Sequence, residues 1–405
     1  MKKTLLVIGA GIEACAGIQQ AKSMGLKVIG TDANPEAPGL LLADEALIAS
    51  TYDIPSSVAA VKAYVGSGNT IDGVLCVASD IPLTVASVAS ALDLPGIDLN
   101  SARLASDKLA MKEQFLKDGI NIPWFSAVHS IQDLRRVFTL RNHPLIIKPV
   151  DSRGARGVLR LSDETDLDWA FAEAQKHSPS HRVMVEEFLS GPQVSTESIM
   201  IDGVAHTPGF ADRNYEFLDR YAPYIIENGG QLPSRLDDKT QQMVRDLVQQ
   251  AALSMGVRNG VVKGDIVVHD GTPYVIELAA RLSGGYFCTH EIPLNTGVDL
   301  VGAAIRQALG EVIDPLDLTP KHKRPVAQRY FFPKPGKVMS ITGLDRYTNH
   351  PGVEMLELRV QPGDTIGPID SHPARAGVVI TTADSVADAV ALAEEIVDNV
   401  VISVE

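Results

Sequence analysis

A lysine at the end of an apolar run, Leu145-Ile146-Ile147-Lys148-Pro149, is followed closely by Ser152-Arg153-Gly154-Ala155-Arg156-Gly157. The run reads as a buried strand that Pro149 stops, so Lys148 is fixed beside a flexible turn. In the turn, Gly154 and Gly157 free the backbone, while Arg153 and Arg156 carry forked guanidinium groups that suit phosphate oxygens. The turn reads as a hairpin loop that covers phosphates; a plain surface hairpin with basic residues would have the same composition.

A second stretch pairs carboxylates. Lys263-Gly264-Asp265-Ile266-Val267-Val268 and Pro273-Tyr274-Val275-Ile276-Glu277-Leu278-Ala279-Ala280-Arg281 flank the turn His269-Asp270-Gly271. An Asp-Gly turn between apolar runs makes a hairpin, and pairing across it brings Asp265 toward Glu277. Two neighbouring carboxylates repel unless a cation separates them, and oxygen ligands shared with a phosphate suit Mg²⁺. Arg281 then falls where a transferring phosphoryl group would be met. Ordinary surface acids are the alternative, but these acids interrupt strands that are otherwise apolar.

Four further stretches are chemically suggestive. Val185-Glu186-Glu187-Phe188-Leu189-Ser190-Gly191-Pro192-Gln193 mixes apolar residues with acids at a strand end and reads as a hinge able to hold a flat heterocycle, or as a strand and turn with solvated acids. Lys108 lies early on a helix and is either solvated or a second phosphate contact. The stretches around Arg213 with Glu227, and Ser283, Gly284 with His290 and Glu291, are candidates for a substrate pocket or simply loops. There Arg213 could clamp a carboxylate and Glu227 or Glu291 could receive an amine. His290 has no second histidine at metal spacing.

These groups need elements to hold them. A chain of 405 residues has room for two to four packed units. Its net charge of -14 argues against a general nucleic-acid footprint. The cysteines Cys15, Cys76 and Cys288 are far apart and fit a reducing, cytoplasmic setting. No signal peptide is expected, and the apolar region near Gly73 to Leu94 is broken by Asp80, Pro82 and Asp93, so no membrane span is expected.

Strands are expected at Thr4–Ile8, Lys27–Asp32, Glu45–Ile48 and Gly73–Val77, with helices between, giving a small doubly wound sheet. Gly9, Gly11 and Asp32 approximate a dinucleotide fingerprint, which keeps a dehydrogenase open. Asn100 caps an expected helix from Ser101 to Lys117. A compact α+β unit follows, from Trp124 to Glu186. Beyond a turn-rich junction, strands at Val326–Phe332, Gly352–Gln361 and Ala376–Ile380 and a helix at Ser385–Val397 form a small C-terminal sheet with a packed helix. The polar turn from Gly367 to Arg375 is a candidate to reach the site.

In this order and spacing the segments resemble the ATP-grasp superfamily, carboxylate-amine ligase type, with features of its amino-acid ligase and biotin carboxylase branches. The resemblance implies an ATP-grasp fold of mixed α/β and α+β class: a Rossmann-like domain over 1–100, an ATP-grasp domain over 101–310 with a mobile lid at about 121–187, and a small domain over 311–405. It implies that Lys108 and Lys148 hold the α- and β-phosphates, and that Ser152, Arg153, Gly154, Ala155 and Gly157 form the lid loop. Glu186 would bind the adenine amino group, Glu187, Phe188 and Leu189 the ring edge, and Gln193 the ribose, where the family usually has Glu. Lys263 would join the nucleotide contacts, Asp265 and Glu277 the metal, and Arg281 with Lys148 the reacting phosphate. Ala279 stands where the family commonly has a metal-binding Asn.

The implied cofactors are ATP and Mg²⁺ or Mn²⁺, and the implied reaction activates a carboxylate as an acyl phosphate and joins it to an amine. The implied partners are these small molecules, neither nucleic acid nor membrane, with a homodimer by analogy. Biotin carboxylase-like carboxylation and a nucleotide-binding protein without ligase activity remain as alternatives. No GxxxxGK[ST] pattern is present.

Overall fold

Residues 2–141 and 143–405 are described by a computed structural model. The first apolar run, β1 (Thr4–Ile8), is buried along its whole length, as expected for the middle of a parallel sheet covered on both faces. It pairs with β2 (Lys27–Asp32) and β4 (Gly73–Leu75), and β3 (Glu45–Ile48) completes the order β3-β2-β1-β4. Helices α1 (Cys15–Ser23), α2 (Pro38–Leu42) and α3 (Ile54–Gly66) make the crossovers, and α4 (Pro82–Ala91) follows β4.

The glycine turn after β1 has a structural explanation. The Asp32 carboxylate accepts hydrogen bonds from the Ala10 and Asn34 amides, each 3.0 Å long, so it braces the turn itself. A Cβ at Gly9 would meet Ser79 Oγ at 2.4 Å, so glycine is needed where the loop after β4 crosses.

The single helix expected from Ser101 to Lys117 is two. Asp98, rather than Asn100, caps α5 (Leu99–Ser106), and Asp107, extended at φ -131°, caps α6 (Lys108–Lys117) by accepting from the Ala110 amide. The break makes Lys108 the first residue of α6 and ties its amide to the Val150 carbonyl, just past Lys148.

A four-stranded antiparallel sheet, β5-β8-β6-β7, comprises β5 (Phe125–Val128), β6 (Leu145–Pro149), β7 (Leu159–Leu161) and β8 (Val183–Glu187). Helices α7 (Ile131–Arg141) and α8 (Leu167–Lys176) pack on it through Leu134, Ala170 and Ala174 against Leu145, Ile147 and Val185.

An eight-stranded antiparallel sheet organises the rest. It runs β13-β12-β9-β10-β11-β14-β18-β16, built from β9 (Gln193–Ile201), β10 (Val204–Arg213), β11 (Gly230–Leu232), β12 (Gly260–His269), β13 (Thr272–Ala279), β14 (Val326–Tyr330), β16 (Val353–Leu358) and β18 (Gly377–Thr382). Arg213, read above as a candidate loop residue, is the last residue of β10. The three expected C-terminal strands are no sheet of their own: β14, β18 and β16 extend the central one because β11 pairs Gln231 and Leu232 with Ala327 and Val326. Strands β15 (Gly336–Thr342), β17 (Thr365–Ile366) and β19 (Val401–Val404) make a separate three-stranded sheet.

Helix α9 (Asp238–Ser254) covers the central sheet with Val244, Leu247, Val248 and Ala251. The short α10 (Ile292–Thr296) and α11 (Leu300–Ala308) join one core to Leu5 and Val7 of β1 and to Val326 and Val378, so three parts of the chain share apolar packing. Helix α12 (Val386–Asn399) buries Ala389, Ala393 and Ile396 against the C-terminal strands. Among the described residues no helix is long and apolar enough to cross a membrane.

Candidate active site

Strand periodicity builds one wall of a cleft of about 570 Å³. Alternate residues point the same way, so Lys263, Asp265 and Val267 of β12 and Gln193 and Ser195 of β9 line it together. Asp270 and Gly271 both have positive φ, as a tight hairpin turn requires, and the turn sets Asp265 directly opposite Glu277. Asp265 is paired with Lys263 and, at 2.8 Å, with Arg213, whose other arm reaches Glu227 at 2.8 Å. Burial opposes ionisation of Asp265, but Arg213 and Lys263 hold its carboxyl well below the usual range. Glu277 pairs with Lys108 at 3.2 Å, and Lys108 also donates to the Ser152 carbonyl at 2.7 Å.

A buried charge cluster lies beside this wall. Lys148 and Glu186 sit on neighbouring strands and form an ion pair at 2.5 Å, while the other Glu186 oxygen faces Lys112 Nζ at 3.2 Å. Lys112 is 1% exposed and also donates to the Val275 carbonyl. Burial pushes Lys112 down to about 8 despite Glu186, and the two lysines hold Glu186 below the ordinary range although burial opposes it. Glu186 Oε2 lies near Lys112 but has no hydrogen-bond partner among the described residues, and Glu186 lines the cleft, so this oxygen can still accept from a donor there. Lys112→Met leaves part of that buried charge uncompensated and is expected to lower folding stability by about 3 kcal/mol. Equilibrium urea unfolding would measure the loss, and adding Glu186→Gln should recover part of it.

Arg281 leaves β13 beside the loop after β4. Its Nε lies 3.5 Å from Asp80 Oδ1, and neither atom has a hydrogen-bond partner among the described residues. Burial would raise Asp80, but Arg281, Lys108 and Arg153 hold its carboxyl below the usual range. Such an under-bonded buried pair is suited to a ligand that completes it.

The loop after β6 is held from two sides. Arg153 stacks on the Tyr52 ring at 4.2 Å, and the Gly154 carbonyl accepts from the His372 amide at 3.1 Å. The polar turn from Gly367 to Arg375 does reach the cleft, through His372, Pro373 and Arg375. Gly154, Ala155 and Gly157 all have positive φ. Gly157 does not face the cleft: a Cβ there would strike His177 at 2.9 Å and Pro149 at 3.0 Å, so its glycine serves packing.

At the far end, Glu13 accepts from the Gly285 amide at 2.8 Å and from Arg359 at 2.9 Å, joining three parts of the chain. Arg375 stacks on Tyr330 at 3.6 Å. Glu197, fully buried behind the wall, accepts from the Ser283 amide and hydroxyl, and burial pushes it up to about 7. His290 is turned away from the cleft: its ring packs edge-on to Tyr286 at 5.4 Å and Nδ1 meets Thr289 Oγ1 at 2.9 Å.

The cleft therefore gathers Lys108, Lys148, Ser152, Arg153, Gly154, Ala155, Glu186, Glu187, Phe188, Leu189, Gln193, Arg213, Glu227, Lys263, Asp265, Glu277, Arg281, Ser283 and Gly284, but not Gly157 or His290. Lys112, Asp80, Glu13 and Arg359 were not singled out from sequence as site residues. A lysine beside Met111 and Phe115 on an apolar helix face, and an acid inside the apolar stretch after β4, were the signals available.

No cluster of three or more His, Cys, Asp or Glu with metal-holding geometry occurs among the described residues. Two opposed carboxylates are nonetheless a donor set that Mg²⁺ accepts when phosphates supply other ligands, so Asp265 and Glu277 fit such an ion while Ala279 offers no donor.

Residues 105–285 match the family model of the ATP-grasp domain. The chain thus carries an ATP-grasp domain over these residues. Residues 329–405 match a second model, L-amino acid ligase C-terminal domain 2. The crystal structure of an L-amino acid ligase from Bacillus licheniformis superposes with a TM-score of 0.85 at 22% identity, covering 100% of this chain and 99% of that one. A D-alanine–D-alanine ligase of Cupriavidus taiwanensis is 26% identical over 255 residues, 62% of this chain and 72% of that protein. A carbamoyl phosphate synthase large chain of Clostridium perfringens is 23% identical over 76% of this chain, which spans only 29% of that protein's length.

Proposed function

We propose that the chain is an ATP- and Mg²⁺-dependent ligase that activates a carboxylate as an acyl phosphate and joins it to an amine, releasing ADP and phosphate. The observation that carries this reading is the convergence of Lys108, Lys148 and Arg281 with the opposed pair Asp265 and Glu277 in one cleft. Cations and carboxylates there neutralise one another pairwise, Lys108 with Glu277 and Arg281 with Asp80. A polyphosphate would take the lysines and Arg281, and Asp265 and Glu277 would hold the metal. When bound, Mg²⁺ supplies neutralisation of the phosphate charge.

Lys148 and Lys108 then anchor the phosphates, the backbone of Glu187, Phe188 and Leu189 reads the base edge, and Glu186 Oε2, which has no hydrogen-bond partner among the described residues, accepts from the adenine amino group. Arg281 offsets charge on the transferring group as the substrate carboxylate attacks in line, so positioning and electrostatics do most of the work. The loop from Ser152 to Gly157, seated between Tyr52 and His372, keeps water from the acyl phosphate. The match of residues 329–405 and the likeness to the Bacillus licheniformis enzyme favour amino acids as the first substrates to try.

Phosphate release should be measured with ATP, Mg²⁺ and a panel of carboxylic acids combined with amino acids and other amines. Release is expected to need both an acid and an amine and to vanish in Glu277→Ala. Release that ignores both co-substrates would exclude the ligase.

A further inference from the structure

Within the ligase reading, on which this inference rests, the sequence leaves two receptors for the amine open, Glu227 and Glu291, and Glu227 is paired with Arg213. We infer that Glu291 binds the nucleophilic amine as its ammonium ion and accepts the proton it loses when it attacks. Two successive left-handed residues, Gly285 (φ +65°) and Tyr286 (φ +64°), turn the chain sharply after Arg281, and a π-helical turn, Phe287–Glu291, ends on this residue. One short segment thereby brings Arg281 and Glu291 to the same cleft.

Glu291 differs from the other acids on that wall. Glu13, Asp80, Glu186, Glu187, Asp212, Glu227, Asp265 and Glu277 each have a cationic side chain as partner. Glu291 is only 4% exposed, yet among the described residues its side chain makes neither an ion pair nor a hydrogen bond. A buried carboxylate without a partner is costly, and an arriving ammonium ion removes that cost. The charged groups acting nearby are Glu227 with its partner Arg213, Glu197 on Ser283, and Arg375 on the Tyr330 ring; Tyr330 and Phe287 complete the local wall. Burial, Glu227 and Glu197 push Glu291 up to about 8, so it can exchange a proton with an amine near neutral pH.

The step balances. One ammonium proton passes to the Glu291 carboxylate, and the nitrogen lone pair forms the C–N bond with the acyl carbon. The bond from that carbon to the phosphate oxygen breaks, and phosphate leaves with the electron pair and the second nitrogen proton.

The test separates the two half-reactions in wild type, Glu291→Gln and Glu291→Asp. Hydroxylamine, largely unprotonated at neutral pH, traps the acyl phosphate as a hydroxamate without needing a base, whereas the amine substrate must be deprotonated. Glu291→Gln is expected to keep hydroxamate formation, lose about a hundredfold or more in amide formation, and lose the rise of the amide rate with pH toward 8; Asp should restore part of it. Because burial raises this carboxyl, its favourable contribution to stability is present at low pH and lost as pH rises through about 8. The Gln variant, which cannot ionise, should therefore melt higher than wild type above that pH, which also shows that it folds. Unchanged amide formation in Glu291→Gln, or equal loss of hydroxamate and amide, would overturn the inference. A wild type that forms no hydroxamate with any acid would instead remove the ligase reading itself.

Discussion

Lys148→Ala is expected to lower ATP turnover by about 10²- to 10³-fold, the effect typical of losing one preorganised charge at a reacting phosphate. Lys148 is 3% exposed and held by the Glu186 carboxylate, so it is already positioned before nucleotide arrives. Its removal also leaves Glu186 with Lys112 alone, a lysine that burial has brought down to about 8. Nucleotide affinity should therefore fall together with kcat, while Lys112, relieved of repulsion from Lys148, keeps its proton to higher pH than in wild type. Steady-state ADP release against pH, with urea unfolding to confirm the fold, measures this; a variant within threefold of wild type would exclude Lys148 from phosphate binding.

Arg281→Lys is expected to show a different pattern: a loss of about 10²-fold in kcat with ADP binding nearly unchanged. The substitution keeps the charge opposite Asp80 but loses the fork that can bridge two oxygens. Arg281→Ala should be worse, because it strips the buried Asp80 carboxylate of the guanidinium that does most to keep it ionised. Asp80 would then protonate more readily, and the variant should be less stable at neutral pH than Arg281→Lys. Calorimetric ADP binding beside kcat distinguishes the two roles. Equal loss of binding and turnover would make Arg281 a ground-state anchor.

Much of this site was legible in local pattern. Alternation along β12 and β13 with an Asp-Gly turn placed Asp265 opposite Glu277, and an apolar run ended by Pro149 placed Lys148 beside its loop. Long-range facts were less accessible. The break at Asp107 depends on a cap and on the Val150 carbonyl, both invisible to helix periodicity. Lys112 shows only as a lysine on an apolar helix face, and its partners, Glu186 and the Val275 carbonyl, come from distant strands. The continuation of the central sheet through β14, β18 and β16 rests on the two-residue pairing of β11, too short for any sequence pattern to announce. Helix α9 did carry a periodic face, Val244, Leu247, Val248 and Ala251, within a polar run that obscured it.

The most direct test of acyl phosphate chemistry follows an oxygen atom. A substrate acid labelled with oxygen-18 in its carboxylate, turned over with ATP and the amine, is expected to deliver one labelled oxygen to each inorganic phosphate released, with ADP as the other product. Unlabelled phosphate, or release of AMP and pyrophosphate, would contradict the account.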